Sequence, residues 1–169
     1  MPFRKLSGIG RIEFIIMIAS MMAISALSID TMLPAFPLMT RDFGLTGEQA
    51  NHIQWVVYAY MLGFSFAQLI YGSLADYYGR KPVVRLGLAI FAVATIGAAL
   101  APSFYFLLAM RVLQGVGIAA MRVLSTTLVR DVFSGYAMSQ VMSMIMMVFI
   151  IVPVIAPSFG QLLLFRFDW

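Results

Sequence analysis

Three charged residues lie inside long apolar stretches of the sequence: Asp30, Arg111 and Arg122. A guanidinium in hydrocarbon costs at least about 2.5–3.5 kcal/mol, so such residues usually face a water-filled cavity or an opposite charge. A carboxyl group in that setting can bind and release a proton, and a nearby arginine can stabilise its deprotonated form. The three residues therefore indicate proton binding or ligand recognition within a membrane.

Each of the three also has a purely structural interpretation, which the sequence leaves open. Asp30 could cap the segment that opens at Pro34, just outside the bilayer. Arg122 could extend to the lipid headgroups, since it lies about 10 Å from one end of its predicted helix at a rise of ~1.5 Å per residue. Arg111 lies at a similar depth from the other end of that helix.

The composition favours a protein embedded in lipid. Of 169 residues, 62% are hydrophobic and 11% are charged, whereas soluble domains carry roughly 25% charged residues. The formal net charge is +4, but the basic residues lie between apolar runs and form no single basic face, which argues against a nucleic-acid partner. Cysteine is absent and His52 is the one histidine, so we expect no metal site, disulfide or cofactor.

Five segments are long enough to cross a bilayer as helices, which takes about 20 mostly apolar residues. They are 12–33, 53–75, 83–101, 104–129 and 138–165. The first exceeds the roughly 7–15 apolar residues of a signal peptide, so we interpret it as a retained span. The sequence predicts an all-α integral membrane protein: a cytoplasmic N-terminus over 1–11, then an incomplete bundle of about five to six transmembrane helices over 12–169.

The distribution of basic residues predicts the orientation of the bundle. One side carries seven: Arg4, Lys5, Arg11, Arg80, Lys81, Arg85 and Arg130. The other side carries Arg41 and Arg166. Because short cytoplasmic loops are enriched in Lys and Arg, the N-terminus is expected in the cytoplasm.

Helical periodicity identifies polar faces on two of the spans and a proline–glycine face on a third. In the second span, six polar or small residues lie within about 40° of one line: Gln54, Tyr58, Met61, Ser65, Gln68 and Gly72. This stripe fits either a cavity or close packing against another helix. In the fourth span, Arg111 and Arg122 project within about 20° of each other, together with Gln114, Gly115 and Ser125. In the fifth, Pro153, Pro157 and Gly160 share a face and predict a bent, tightly packed helix.

The loop after the second span carries a specific motif. It reads GSLADYYGRKP and contains Gly72, Asp76, Gly79, Arg80 and Lys81. It resembles the signature of the major facilitator superfamily between helices two and three, G-x-L-A-D-[RK]-x-G-R-[RK]. The resemblance implies a cytoplasmic latch between two transporter halves, although Tyr77 stands where a basic residue is common.

Further stretches resemble one branch of that family. Residues 111–117, RVLQGVG, resemble the fourth-helix motif of proton-coupled drug exporters, in which the arginine is linked to proton coupling. Residues 152–161 look like the fifth-helix antiporter motif, with Gln161 replacing its usual second glycine. Residues 30–37, DTMLPAFP, are similar to the end of helix one in Bcr/CflA-type multidrug exporters. The resemblance thus implies a multidrug/proton antiporter of the bacterial inner membrane.

The resemblance also implies roles for individual residues. Major facilitator proteins have two six-helix halves that rock about a central site. Asp30 would bind the coupling proton, and Arg111 would tune the pKa of Asp30 or stabilise its deprotonated form. The weaker candidates for substrate contact are Gln54, Tyr58, Gln68 and Arg122. The expected partners are lipid, protons, a small drug or metabolite, and a missing C-terminal half. A metabolite exporter, an uptake symporter and a truncated non-transporting membrane module stay open as alternatives.

A membrane-embedded enzyme is the rival from another class. Intramembrane hydrolases need a Ser–His or paired-Asp arrangement, and lipid-headgroup transferases need an acidic cluster for metal. His52 has no evident serine partner, and Asp30 and Asp76 lie near opposite membrane faces. We therefore expect no enzymatic activity.

The length of the complete gene product tests the expectation of a missing half. We expect a product of roughly 400 residues with about seven further spans, because one half-bundle cannot alternate access by itself. The length of the product is measured by sequencing the gene past the Trp169 codon and by immunoblotting the membrane fraction. A stop codon directly after Trp169 would contradict this expectation.

Overall fold

The structure is a computed structural model that describes residues 10–166, apart from the side chain of Glu48. Six α-helices follow one another: α1 (Arg11–Asp30), α2 (Phe36–Asp42), α3 (Trp55–Tyr78), α4 (Arg80–Ala99), α5 (Phe104–Val132) and α6 (Gly135–Leu164). Short 3-10 helices at Leu33–Ala35 and Gly47–Gln54 lie on either side of α2. Two basic residues used to predict the orientation, Arg4 and Lys5, lie outside the described residues. The last three residues of the predicted bundle, 167–169, also lie outside them.

The predicted fold class is confirmed, because five helical segments are long and apolar enough to cross a membrane. They are Arg11–Asp42, Gln49–Tyr78, Arg80–Ala99, Phe104–Val132 and Gly135–Leu164, and each overlaps one predicted span. The helices extend past several predicted ends. For example, α4 begins at Arg80 and not at residue 83, because proline is tolerated in the first turn of a helix and Pro82 therefore does not delay the start.

The stretch between the first two predicted spans, 12–33 and 53–75, is mostly helical, and only residues 43–48 lie between the two span-length segments. The chain leaves α1 at Asp30, passes through one 3-10 turn and is helical again over α2. Pro34 and Pro37 each lie within the first two residues of their helix, where the missing N–H would have had no partner in any case. The two prolines therefore start new helical segments here.

Helix α5 occupies the centre of the bundle and contacts α1, α3, α4 and α6. Its contacts with α3 and α4 bring backbone against backbone at glycines. A methyl group at Gly63 of α3 would overlap the carbonyl oxygen of Val112, and one at Gly115 would overlap the carbonyl of Tyr60. A methyl group at Gly117 would likewise overlap the α4 backbone, at the Phe91 nitrogen and the Gly87 carbonyl oxygen. Small residues at helix contacts are typical of membrane bundles, because they allow close van der Waals packing in lipid.

Helices α1 and α6 form the second tightly packed pair. Gly160 of α6 is buried, and a Cβ atom there would overlap the carbonyl oxygen of Thr31. Pro153 and Pro157 are half-buried, and α6 remains helical through both. At the far end of the pair, Phe14 of α1 and Val141 of α6 are fully buried in one apolar cluster.

The polar stripe predicted on the second span is not a packing face within the described residues. Gln54, Tyr58 and Gln68 are exposed. The face of α3 that packs is a different one: Val56, Tyr60, Gly63, Ala67, Tyr71 and Ala75. The periodicity located a polar face correctly, but the side that touches α5 is selected by small residues and not by polarity.

A matched pair of glycine substitutions tests the backbone contact between α3 and α5. Gly63→Ala should destabilise the protein by about 1–3 kcal/mol, because the added methyl group meets the Val112 backbone. Gly72→Ala in the same helix meets nothing within 4 Å and should be neutral or slightly stabilising. Thermal unfolding of the purified complete gene product in detergent measures both, and equal midpoints for the two variants would contradict the close contact.

Candidate functional site

Two cavities open between the helices. The larger, of about 470 Å³, lies among α1, α4, α5 and α6, and its lining includes Arg111; we call it the Arg111 cavity. The second, of about 330 Å³, lies among α1, α3, α5 and α6, and its lining includes Asp30; we call it the Asp30 cavity. The charged residues that the sequence singled out are therefore distributed over two cavities.

Asp30 is the last residue of α1 and is half-buried at the edge of the Asp30 cavity. The 3-10 turn Leu33–Ala35 and α2 both lack a side-chain cap, so Asp30 does not act as the cap that its structural interpretation required. Within the described residues it also forms no salt bridge. Asp30 thus lines the cavity without a basic partner among the described residues.

Arg122 lines the same cavity from α5. Its Nη1 atom lies 3.0 Å from the Met22 sulfur on α1, and its guanidinium carbon lies 4.0 Å from the ring centroid of Phe149 on α6. The side chain is therefore held between two neighbouring helices and does not extend to the helix end, which argues against headgroup contact as its role. Gln68 of α3 completes the polar lining of this cavity.

Arg111 does not share this cavity with Arg122, contrary to the expectation of one polar face on the fourth span. It lines the Arg111 cavity and a small void beside Ser28 and Tyr60, and its Nε atom has no hydrogen-bond partner among the described residues. Of the other members of the predicted face, Gln114 lines the Arg111 cavity together with Arg111 and donates to the Thr95 hydroxyl of α4 at 2.8 Å. Ser125 is fully buried and lines neither cavity. Because α5 has neighbours on all sides, one stripe of its surface meets several environments.

Tyr60 of α3 is a buried neighbour of both Asp30 and Arg111, and sequence analysis did not identify it. Its side chain is 3% exposed and lines both the Asp30 cavity and the small void next to Arg111. The phenol lies near the Ser28 hydroxyl and within electrostatic range of both charged groups. The neighbouring positions on its helix face are apolar or small, so no polar periodicity marked it.

The other substrate-contact candidates are divided by the fold. Gln68 lines the Asp30 cavity, as does Pro153 of the antiporter-like motif. Gln54 and Tyr58 lie on the exposed face of α3, where the Tyr58 hydroxyl is 3.3 Å from the Gln54 side-chain oxygen. They are not part of the lining of either cavity.

The loop motif forms an ion-pair network between α3, α4 and α5. Arg80 contacts Asp76 at 2.9 Å and Asp131 at 3.1 Å. Gly79 has a positive φ of 88°, a conformation that side chains disfavour, and it allows α4 to start directly after α3. Asp131 was not among the sequence candidates, because it lies 51 residues from Arg80 and only the packing of α5 on α4 brings it there. Lys81 is exposed and Gly72 is half-buried.

Comparison with known proteins agrees with the motif analysis. A sequence profile of the Major Facilitator Superfamily matches residues 18–169. The chain is 33% identical over 156 residues to a bicyclomycin resistance protein homolog of Haemophilus influenzae, covering 92% of this chain and 38% of that protein. It is 30% identical over 158 residues to multidrug resistance protein D of Escherichia coli K12, covering 94% of this chain and 39% of that protein. It is 37% identical over 141 residues to multidrug resistance protein MdtL of Shewanella sp. ANA-3, covering 83% of this chain and 35% of that protein.

The chain thus spans less than two fifths of the length of these curated relatives. The matched region nevertheless includes the loop motif, both cavities and most of α1. The resemblance inferred from residues 30–37, 72–82, 111–117 and 152–161 is therefore confirmed at the level of the family, and this chain belongs to the Major Facilitator Superfamily of membrane transporters.

Proposed function

We propose that this chain provides the proton-binding and part of the substrate-binding site of an exporter that exchanges protons for small amphipathic compounds across the bacterial inner membrane. The observation that carries the proposal is the joint lining of the Asp30 cavity by Asp30, Gln68 and Arg122, which belong to three different helices. The names of the relatives, which refer to multidrug and bicyclomycin resistance, support drugs or toxic compounds as substrates.

Exchange follows from competition at Asp30. When the cavity opens to the more acidic outer side, a proton binds the carboxylate and any bound substrate leaves. When it opens to the cytoplasm, the proton dissociates and a positively charged or polar substrate group takes its place. A single carboxyl group that cannot hold both ligands couples their opposite movements.

Arg111 acts on this step through Tyr60, which lies within electrostatic range of both Arg111 and Asp30. Arg111 forms no direct ion pair with Asp30 among the described residues. Tyr60 lines both the Asp30 cavity and the small void beside Arg111, whereas Arg111 does not line the Asp30 cavity. Substrate therefore meets the carboxylate and not an Asp30–Arg111 salt bridge.

The network of Arg80 with Asp76 and Asp131 supports a latch on the cytoplasmic side. Both ion pairs are solvent-exposed, and exposed pairs contribute only about 0–1 kcal/mol. A contact this weak can open and close in each transport cycle. In the proposed orientation the motif faces the cytoplasm, together with the start of α1.

Replacing the Asp30 carboxyl group tests whether this residue couples proton entry to substrate efflux. Asp30→Asn should lower proton-driven efflux at least about tenfold, within the range of typical coupling energies, because an amide cannot bind and release a proton at physiological pH. Asp30→Glu should retain pH-dependent efflux. The measurement is efflux of a fluorescent amphipathic dye from cells that express the complete gene product, over a series of external pH values.

The matched control is Asp42→Asn, an exposed acid further along the same span, which should leave efflux unchanged. Proton-driven efflux that persists in Asp30→Asn at the wild-type level would refute the role of Asp30. Dye uptake together with protons would instead indicate a symporter.

Cysteine labelling tests the orientation, since the chain has no native cysteine. Gln49→Cys and Ser134→Cys are both exposed positions at opposite ends of the bundle. A membrane-impermeant maleimide added to intact spheroplasts should label Gln49→Cys, and should label Ser134→Cys only after lysis, because the basic loops remain in the cytoplasm. Any cysteine in the remainder of the gene product is first replaced by serine. The reverse pattern would place the N-terminus outside.

A further inference from the structure

Arg122 carries a charge that nothing in the described structure neutralises. Among the described side chains, which exclude that of Glu48, no Asp or Glu lies within salt-bridge distance of it. Its contacts are the Met22 sulfur and the face of the Phe149 ring. A thioether is a weak acceptor, and an aromatic face attracts a cation without cancelling its charge.

The guanidinium also keeps accessible donors. Arg111 has a buried Nε atom without a partner, whereas no nitrogen of Arg122 is both buried and unpaired, and Arg122 lines the Asp30 cavity. The planar guanidinium has five N–H donors, and its geometry matches the two oxygens of a carboxylate. The adjoining space of about 330 Å³ is within the size range of ligand sites. An anionic ligand group would therefore find both charge and donors at Arg122.

Asp30 lies in the same cavity but well away from Arg122. Arg122 touches Met22, and Asp30 follows Met22 by eight residues on α1. At ~1.5 Å per residue this is a separation of about 12 Å along the helix axis. The cavity therefore has a negative group toward one end and a positive group toward the other, and the two do not pair with each other.

Proton exchange at Asp30 restricts which charged substrates fit. A cation displaces the proton from Asp30, as exchange requires, but leaves Arg122 without a partner. An anion alone pairs with Arg122 but repels the Asp30 carboxylate, so it would bind together with the proton and not against it. A molecule with both charges compensates Arg122 and still competes with the proton.

On the basis of the proposed exchange at Asp30, we propose that the Asp30 cavity selects zwitterionic amphipathic compounds. The cationic group binds Asp30, and a carboxylate or similar anionic group binds Arg122 about 12 Å away along the bundle. The apolar body between the charges lies against Met61, Phe64 and Phe149, which line the space between them.

A set of three probes that share one aromatic body and differ in charge tests this assignment. The zwitterion is 4′-(aminomethyl)biphenyl-4-carboxylic acid, which holds its charges at opposite ends of a rigid aromatic body. Its methyl ester is a cation, and its N-acetyl derivative is an anion. Accumulation of each is measured by mass spectrometry in everted membrane vesicles that contain the complete gene product, with an imposed pH gradient.

The wild-type protein should transport the zwitterion with a kcat/KM at least about tenfold above that of the ester. Arg122→Gln should lower the zwitterion-to-ester ratio about 10- to 100-fold, as expected when a charge-assisted hydrogen bond is lost. Arg122→Lys should retain part of the ratio, because it keeps the charge but not the fork geometry. Arg85→Gln, at an exposed position on α4, is the charge-matched control and should leave the ratio unchanged.

Equal transport of zwitterion and ester by the wild-type protein would overturn the inference, as would an unchanged ratio in Arg122→Gln. If the Arg122 variants fail to reach the membrane, equilibrium dialysis of the three probes against purified wild-type protein decides: the zwitterion must bind at least about tenfold tighter than either derivative. Ester transport that depends on Asp30 without a preference for the zwitterion refutes this inference alone. Absence of proton-dependent transport for all three probes refutes the proposed function as well.

Discussion

The backbone contacts of α5 with α3 and α4 are the constraint on which the rest of the structure depends. In lipid, apolar side chains gain little from leaving one apolar environment for another, so helices associate through close packing and hydrogen bonds. Gly63, Gly115 and Gly117 provide that closeness, since each lies where a methyl group would overlap backbone atoms of the next helix. These contacts fix three helices as one unit, and α1 with α6 forms the unit beside it.

The cavities are the spaces that remain between these two units, and they determine what the charged residues can do. Asp30 lies at the end of α1 and Arg122 near the middle of α5, so both reach the space where α1, α3, α5 and α6 meet. Arg111, at the level of Tyr60, faces another neighbour of α5. Buried Tyr60 is within electrostatic range of both charged groups, and Asp30 and Arg111 form no salt bridge with each other among the described residues. Asp30 is consequently free for the exchange between proton and substrate that we propose.

The two ends of the same bundle combine different kinds of contact. Around the cavities, charged groups are surrounded by protein and have few partners, so a ligand or a proton has a large effect on their energy. At the loop motif, Arg80 contacts two carboxylates in the presence of water, where each pair has a small effect. A transporter that changes conformation needs both: strong discrimination where the ligand binds, and weak contacts where its parts separate and rejoin.

The sequence alone determined the features that depend on local pattern. Length and apolar composition identified five spans, the loop motif identified the family, and the cost of ionised groups in lipid identified Asp30, Arg111 and Arg122 as exceptional. Only the tertiary structure decided which of these residues share a cavity. Helical periodicity specifies the direction of a side chain around its own axis, but not which neighbour stands in that direction. For this reason Arg122 and not Arg111 lines the cavity of Asp30, and Asp131 and Tyr60, whose roles depend on partners distant in the chain, were found only after the helices were packed.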